Sequence, residues 1–182
     1  MPRVLVLYAH SAPHASHVNK RMIAAARSLP NVTVNELYEH YPDFVIDVRR
    51  EQALLSEAEM IVMQHPIQWY GMPSLQKEWL DQVLEHGWAY GKGGSMLEGK
   101  QFLLALTTGG EAAAYDAQGE HGYSLAAFLP PYHQTSVLCK MHWMEPLVLH
   151  GARRVDEAAI ATHVDTYRRL LEGSPAPHSV RP

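Results

Sequence analysis

Two hydroxyls, two glycines, a phenol and an imidazole are gathered in the segment Thr107–His121, TTGGEAAAYDAQGEH. Thr107 and Thr108 can bond a polar ligand through hydroxyl and N–H groups, and Gly109 and Gly110 let backbone approach it closely. Tyr115 supplies a hydrogen-bond donor, and His121 an imidazole that can take up and give back a proton. Such a set suits a reaction in which negative charge builds on a bound ring and a proton must then be delivered. A donor or cation beside that charge stabilises the product and the transition state leading to it. A surface loop carrying an incidental Tyr and His is the competing reading.

Two further stretches carry unusual residues. In His10–Lys20 (HSAPHASHVNK), Ser16 or Asn19 can cap a following helix. A helix start offers free N–H groups and a positive dipole end, which suits a phosphate, and Ser16, His17 and Asn19 add side-chain donors. The stretch is no Walker A motif and lacks GxGxxG, and its histidines show no metal-ligand spacing. In His65–Pro73 (HPIQWYGMP), prolines bracket the loop. Trp69 and Tyr70 can wall a flat ring while Gln68 or backbone N–H groups bond its polar edge.

The elements that must position these stretches follow from periodicity. Strand-like runs are Arg3–His10, Val32–Tyr38, Met60–His65, Gln101–Thr107 and Trp143–His150. Between them lie helix-like Asn19–Leu29, Arg49–Glu57, Pro73–Leu84 and Asp156–Leu171. A further helix is expected within Tyr123–Lys140, interrupted by Pro130-Pro131, while His40–Val48 and Glu85–Gly99 read as loops. Strict alternation implies a parallel sheet covered on both faces. The expectation is a three-layer α/β sandwich with a five-stranded parallel sheet in the flavodoxin-like order 2-1-3-4-5. One domain spans residues 1–172, and the Pro-rich 173–182 is expected to be a flexible tail. In such sheets ligands sit beyond the carboxyl ends of the strands, and the three stretches above fall there.

Composition removes several classes. The chain has 182 residues, enough for one full core, and a formal charge of −4 with no basic run, which argues against a general nucleic-acid binder. Cys139 is the only cysteine, so no intrachain disulfide forms and a cytosolic location fits; its expected role is a small buried hydrophobe. The apolar part of Arg3–Tyr8 is too short for a signal-peptide core, and no run approaches the roughly 20 apolar residues of a membrane span.

The chain resembles the NAD(P)H:quinone oxidoreductase family of flavodoxin-like flavoproteins, and within it the bacterial ancillary proteins of glutathione-regulated potassium-efflux systems. The likeness spans nearly the whole chain. It rests on Leu7–His10, Ser16–Arg21, Leu37–Asp47 (LYEHYPDFVID), Gln64–Tyr70 (QHPIQWY), Lys77–Leu80, Gly87–Gly94, Leu97–Lys100 and Thr107–Gly110. The resemblance implies that His10, Ser16, His17 and Asn19, with Val18 through its backbone, hold a flavin phosphate and ribityl chain. It implies that Ile67, Gln68, Trp69 and Tyr70 contact the isoalloxazine and that Thr107, Thr108, Gly109 and Gly110 close over its polar side. Tyr115 and His121, with Gln118-Gly119 and Gly122, are similar to the charge-relay loop of the mammalian quinone reductases rather than to the ancillary proteins.

The implied activity is two-electron, ping-pong transfer from NADH or NADPH through bound flavin to a quinone. FMN is favoured by the ancillary likeness, and FAD is compatible with the active loop. The resemblance also implies a homodimer with the site at its interface; apolar surface in Trp79, Trp88–Tyr90 and Phe128–Tyr132 would suit that role, and core packing explains any one of them equally well. The alternative is a regulatory subunit docked on the cytoplasmic part of a potassium-efflux antiporter, in the cytoplasm or at the inner face of the membrane. A one-electron flavodoxin-type carrier is disfavoured, because neither strong acidity nor a hydroxyl- and Gly-rich phosphate loop is prominent.

Overall fold

The computed structural model describes residues 1–173, so the expected tail lies, apart from Gly173, outside the described residues. Strands β1 (Val4–Tyr8), β2 (Val32–Glu36), β3 (Met60–Pro66) and β4 (Gln101–Thr107) form a parallel sheet in the order β2-β1-β3-β4. Two short pieces, β5 (His142–Trp143) and β6 (Leu147–Leu149), both run parallel alongside β4. The order is the one expected, but the last strand is broken. Pro146 lies in the gap, and a proline has no N–H to give a ladder.

The central strands are buried on both sides, and their alternate residues feed two cores. Leu5, Leu7, Ile61, Met63, Phe102, Leu104 and Leu106 face one layer. That layer holds α2 (Leu37–His40), α3 (Val48–Glu57), α4 (Ser74–Val83) and α5 (Pro130–Leu138), through residues such as Leu55, Leu75 and Tyr132. Val4, Val6, Met60, Val62, Leu103 and Ala105 face the other, against α1 (His17–Arg27) and α6 (Glu157–Leu171).

Local chemistry sets the helix starts. The Ser16 hydroxyl accepts from Asn19 N at 3.1 Å, so Ser16 rather than Asn19 caps α1, and the helix begins at His17. Asp47 caps α3 and Asp156 caps α6 in the same way. Pro130-Pro131 opens α5 instead of interrupting it, since the first turn has no use for their missing N–H groups. β2 stops at Glu36, before the expected Tyr38, because the buried Leu37 starts a single helical turn.

The run Tyr41–Asp47 is built into the scaffold. The fully buried Glu51 carboxylate accepts from Tyr41 Oη (2.5 Å), Asn35 Nδ2 (2.6 Å), Trp79 Nε1 (2.8 Å) and Arg50. Four donors offset the cost of burying that charge. Trp79 is 1% exposed, and Ala89 and Tyr132 are also buried, so these residues belong to the core and not to the apolar surface expected of a dimer face. Cys139 is buried, as expected.

Candidate functional site

Four strand ends converge on two adjoining cavities. The larger, about 600 Å³, lies between the β1–α1 loop, the start of α1, Pro66–Gln68, Thr107–Gly109 and the segment Ala152–Val155. The smaller, about 350 Å³, is lined by Trp69, Tyr70, Gly110, Tyr115, Glu120 and His121, and shares Ile67 and Gly109 with the larger. A broader open depression of about 740 Å³ lies at the opposite end of the sheet, beside Lys100 and His142. It has neither the strand carboxyl ends nor a helix start to recommend it.

Donors line the first cavity. His10 Nδ1 accepts from Ala12 N at 3.1 Å, which leaves Nε2 as the ring's N–H donor, and burial lowers the His10 pKa so the ring stays neutral. At the start of α1, the N–H groups of His17 and Val18 have no carbonyl one turn earlier to bond. His17 Nε2 lies 2.7 Å from Glu157, whose carboxyl is held below its usual range first by that contact and then by Arg21.

Asn19 departs from expectation. It is buried, and both of its amide hydrogens are spent, on Ser16 Oγ (3.0 Å) and Thr107 Oγ1 (3.0 Å). Its Oδ1 accepts from Gln64 Nε2 (3.1 Å), and Gln64 Oε1 accepts from the Tyr167 hydroxyl (2.9 Å). Asn19 therefore organises the cavity floor instead of reaching into it. Gln64 and Tyr167 join it there. Neither was a candidate from sequence, because their partners lie on other elements.

The two threonine hydroxyls are likewise engaged by protein. Thr107 Oγ1 accepts from Asn19, while Thr108 Oγ1 donates to Gly110 O at 2.7 Å. The turn is clamped to the last strand end by Thr108 N to Leu149 O (3.0 Å), Gly151 N to Gly110 O (2.8 Å) and Ala152 N to Thr108 O (2.9 Å). What this turn offers a ligand is therefore backbone, together with the one hydroxyl hydrogen that Thr107 retains. Space is open where a Gly109 Cβ would stand. The clamp also brings Arg153 to the first cavity, a cation the sequence reading did not single out.

Gln68 and Gly71 exchange both backbone hydrogen bonds (3.0 Å each), with Trp69 and Tyr70 at the tip at φ of 47° and 65°. Two consecutive positive-φ residues make a turn that usually takes Asn-Gly. Holding two aromatics there stores backbone strain, a feature that collects at functional sites. Trp69 is 92% exposed. Tyr70 packs on Phe128 at 5.1 Å between ring centroids and edge-on to His121 at 5.5 Å.

The structure brings the rings of Tyr115 and His121 together, with centroids 4.5 Å apart. A Cβ on Gly110 would stand 3.2 Å from His121 Nε2 and 3.3 Å from the Tyr115 ring, so this glycine lets both rings sit against the turn. Gly119 is needed more strictly, since its Cβ would lie 2.2 Å from Ala113 O. Burial raises the Tyr115 pKa, with Tyr70 adding to the effect and Thr108 opposing it, so the phenol keeps its proton at neutral pH.

The donor set fits a flavin mononucleotide: uncommitted helix-start N–H groups, the His10 N–H and a cation around one cavity, aromatic walls around the next. The pattern of the flavodoxin-like fold family matches residues 2–171. The chain belongs to that family. Among relatives of this flavodoxin-like protein, the glutathione-regulated potassium-efflux system ancillary protein KefG of Pectobacterium atrosepticum is 43% identical over 99% of this chain and 98% of its own. General stress protein 14 of Treponema denticola, solved in complex with FMN, is 37% identical, with a TM-score of 0.88 over 94% of this chain and 99% of its own. An NADPH-quinone reductase from P. pentosaceus shares the fold at 24% identity, with a TM-score of 0.85 over 97% and 99% of the two chains.

Proposed function

We propose that this chain is a flavin-dependent NAD(P)H:quinone oxidoreductase. The observation that carries the reading is the Tyr115–His121 pair, seated on Gly110 where a donor-rich cavity meets an aromatic one. The net reaction is NAD(P)H + H⁺ + quinone → NAD(P)⁺ + quinol. A bound flavin supplies a ring that accepts a hydride from the nicotinamide and passes two electrons on. The Treponema complex supports FMN over FAD.

The chain's own residues do the rest. The start of α1, with His10, Ser16, His17 and Val18, binds the phosphate and ribityl chain, and Arg153 adds positive charge nearby. Asn19 holds Ser16 and Thr107 in place. Ile67, Gln68, Trp69 and Tyr70 form one wall for the ring, and the Gly109-Gly110 backbone closes over its polar edge. Tyr115 donates a hydrogen bond where negative charge collects, and His121 delivers the proton a quinone oxygen requires. Nicotinamide and quinone take turns in the aromatic cavity, with a second copy of the chain completing its outer side.

Initial rates with NADPH and menadione varied together test this. Parallel double-reciprocal lines are expected for alternating occupancy, whereas lines meeting at a point would require both substrates bound at once.

A second reading, an ancillary subunit of a potassium-efflux antiporter, is favoured by the full-length likeness to KefG. Docking at the inner face of the membrane belongs to it, and no helix among the described residues is long and apolar enough to cross a membrane. The two readings are compatible.

A further inference from the structure

The register of the sheet brings another histidine to the turn. Thr107 pairs with Leu149 in the β4–β6 ladder, so the next residues, Thr108 and His150, stand side by side where the strands end. Thr108 Oγ1 lies 3.0 Å from His150 Nδ1. The imidazole also packs on the Tyr115 ring, 5.4 Å between centroids at a 40° tilt. Tyr115 thus has imidazole neighbours from two elements, His121 from its own loop and His150 from the last strand. His150 is not among the residues lining either cavity, so any action it has on a ligand passes through others.

A proton count gives the contact its direction. The Thr108 hydroxyl has one hydrogen and donates it to Gly110 O at 2.7 Å. None is left for His150, so the imidazole is the donor and its Nδ1 carries the hydrogen. The half-buried ring has its pKa lowered by desolvation, so at neutral pH it is uncharged and Nε2 is bare.

We propose that His150 is a positioning residue for the Tyr115–His121 pair. By donating Nδ1–H to Thr108 it commits the threonine proton to the Gly110 carbonyl. It thereby holds steady the turn on which both rings rest, and with it the direction of the Tyr115 hydroxyl. This proposal rests on the reading of Tyr115 as a donor to the bound ring.

Two measurements test it. The first needs no cofactor: ¹⁵N spectra of histidine-labelled apoprotein. His150 is expected as the neutral Nδ1–H tautomer, and Thr108→Val should abolish that preference. An Nε2–H tautomer in the parent protein would overturn the proposal. The second is stopped-flow reduction of the FMN-loaded protein by NADPH. His150→Leu should slow reduction roughly three- to tenfold, the worth of one ordinary hydrogen bond. His150→Asn, whose amide nitrogen stands near the place of Nδ1, should recover to within about twofold, with FMN affinity unchanged in both. In a Tyr115→Phe background, His150→Leu should have no further effect. Equal slowing by Leu and Asn, or an undiminished effect without the phenol, would assign His150 a purely structural part and overturn the proposal. If Tyr115→Phe alone left reduction unchanged, the reading of Tyr115 would fail instead, and the two failures are told apart.

Discussion

Removing the side chain of Gln64 tests how far the cavity floor is one connected unit. Gln64 is fully buried and links Tyr167 Oη at 2.9 Å to Asn19 Oδ1 at 3.1 Å. Gln64→Leu strands two buried polar groups, the Tyr167 hydroxyl and the Asn19 carbonyl oxygen. Each unpaired group costs about 1–3 kcal/mol, so the substitution should cost about 2–6 kcal/mol, a large part of a typical total stability of about 5–15 kcal/mol. Tyr167→Phe strands Gln64 Oε1 and should cost about 1–3 kcal/mol. The double variant leaves only the Asn19 oxygen unpaired. It should therefore be more stable than the sum of the singles implies, by about 2 kcal/mol or more. Urea unfolding of the apoproteins measures all three. FMN affinity should fall with Gln64→Leu, because Asn19 then loses the bond that aims its amide at Ser16 and Thr107. Additive losses, or unchanged FMN affinity in a folded Gln64→Leu protein, would refute the idea of a connected floor.

Further outcomes follow from particular residues. Trp69→Gly should stabilise the apoprotein by about 0.5–1 kcal/mol, because an almost fully exposed side chain at φ 47° gives up backbone strain and little burial, while turnover falls; unfolding midpoints and rates read both. Tyr115→Phe and His121→Ala should each slow flavin reduction, by up to roughly 10²–10³-fold, with FMN still bound. Gly119→Ala puts a Cβ 2.2 Å from Ala113 O, so reduction should slow as the His121 loop shifts, with little change in FMN affinity by titration. Burial pushes His65 and His163 down to about 4, against about 6.5 unfolded. Between those limits the unfolded chain binds the more protons, so stability is full above pH 6.5 and falls as pH drops toward 4. The slope reaches at most about 2.7 kcal/mol per pH unit for the two groups together. His163→Leu should roughly halve the slope in urea unfolding at pH 7, 6 and 5.

Much of the architecture was legible because β1, β3 and β4 are short apolar runs, β3 closing on Pro66 and β4 on Thr107, and the loops after them carry the unusual residues. Tyr115 and His121 stood out because both residue types fall in one strand-end loop and resemble the quinone-reductase loop; that Gly119 permits the fold of that loop is visible only in the structure. What escaped were facts of register and partnership. Asn19 looked like a ligand donor, since sequence does not show that Ser16, Thr107 and Gln64 consume its amide. His150 and Arg153 went unnoticed because their relevance depends on Thr107 pairing with Leu149. Trp79 read equally as dimer surface or as core, because nothing in the spacing reveals its bond to Glu51. The break at Pro146 was readable in principle; the apolar run around it masked the missing donor.

The most direct test of the central claim is the absorbance of the FMN-reconstituted protein under anaerobic titration with NADPH and then menadione. The account expects one FMN per chain, a flavin band that bleaches with one equivalent of NADPH, and full return of the band with one equivalent of menadione. A chain that binds no flavin, or a bound flavin that NADPH leaves unbleached, would contradict it.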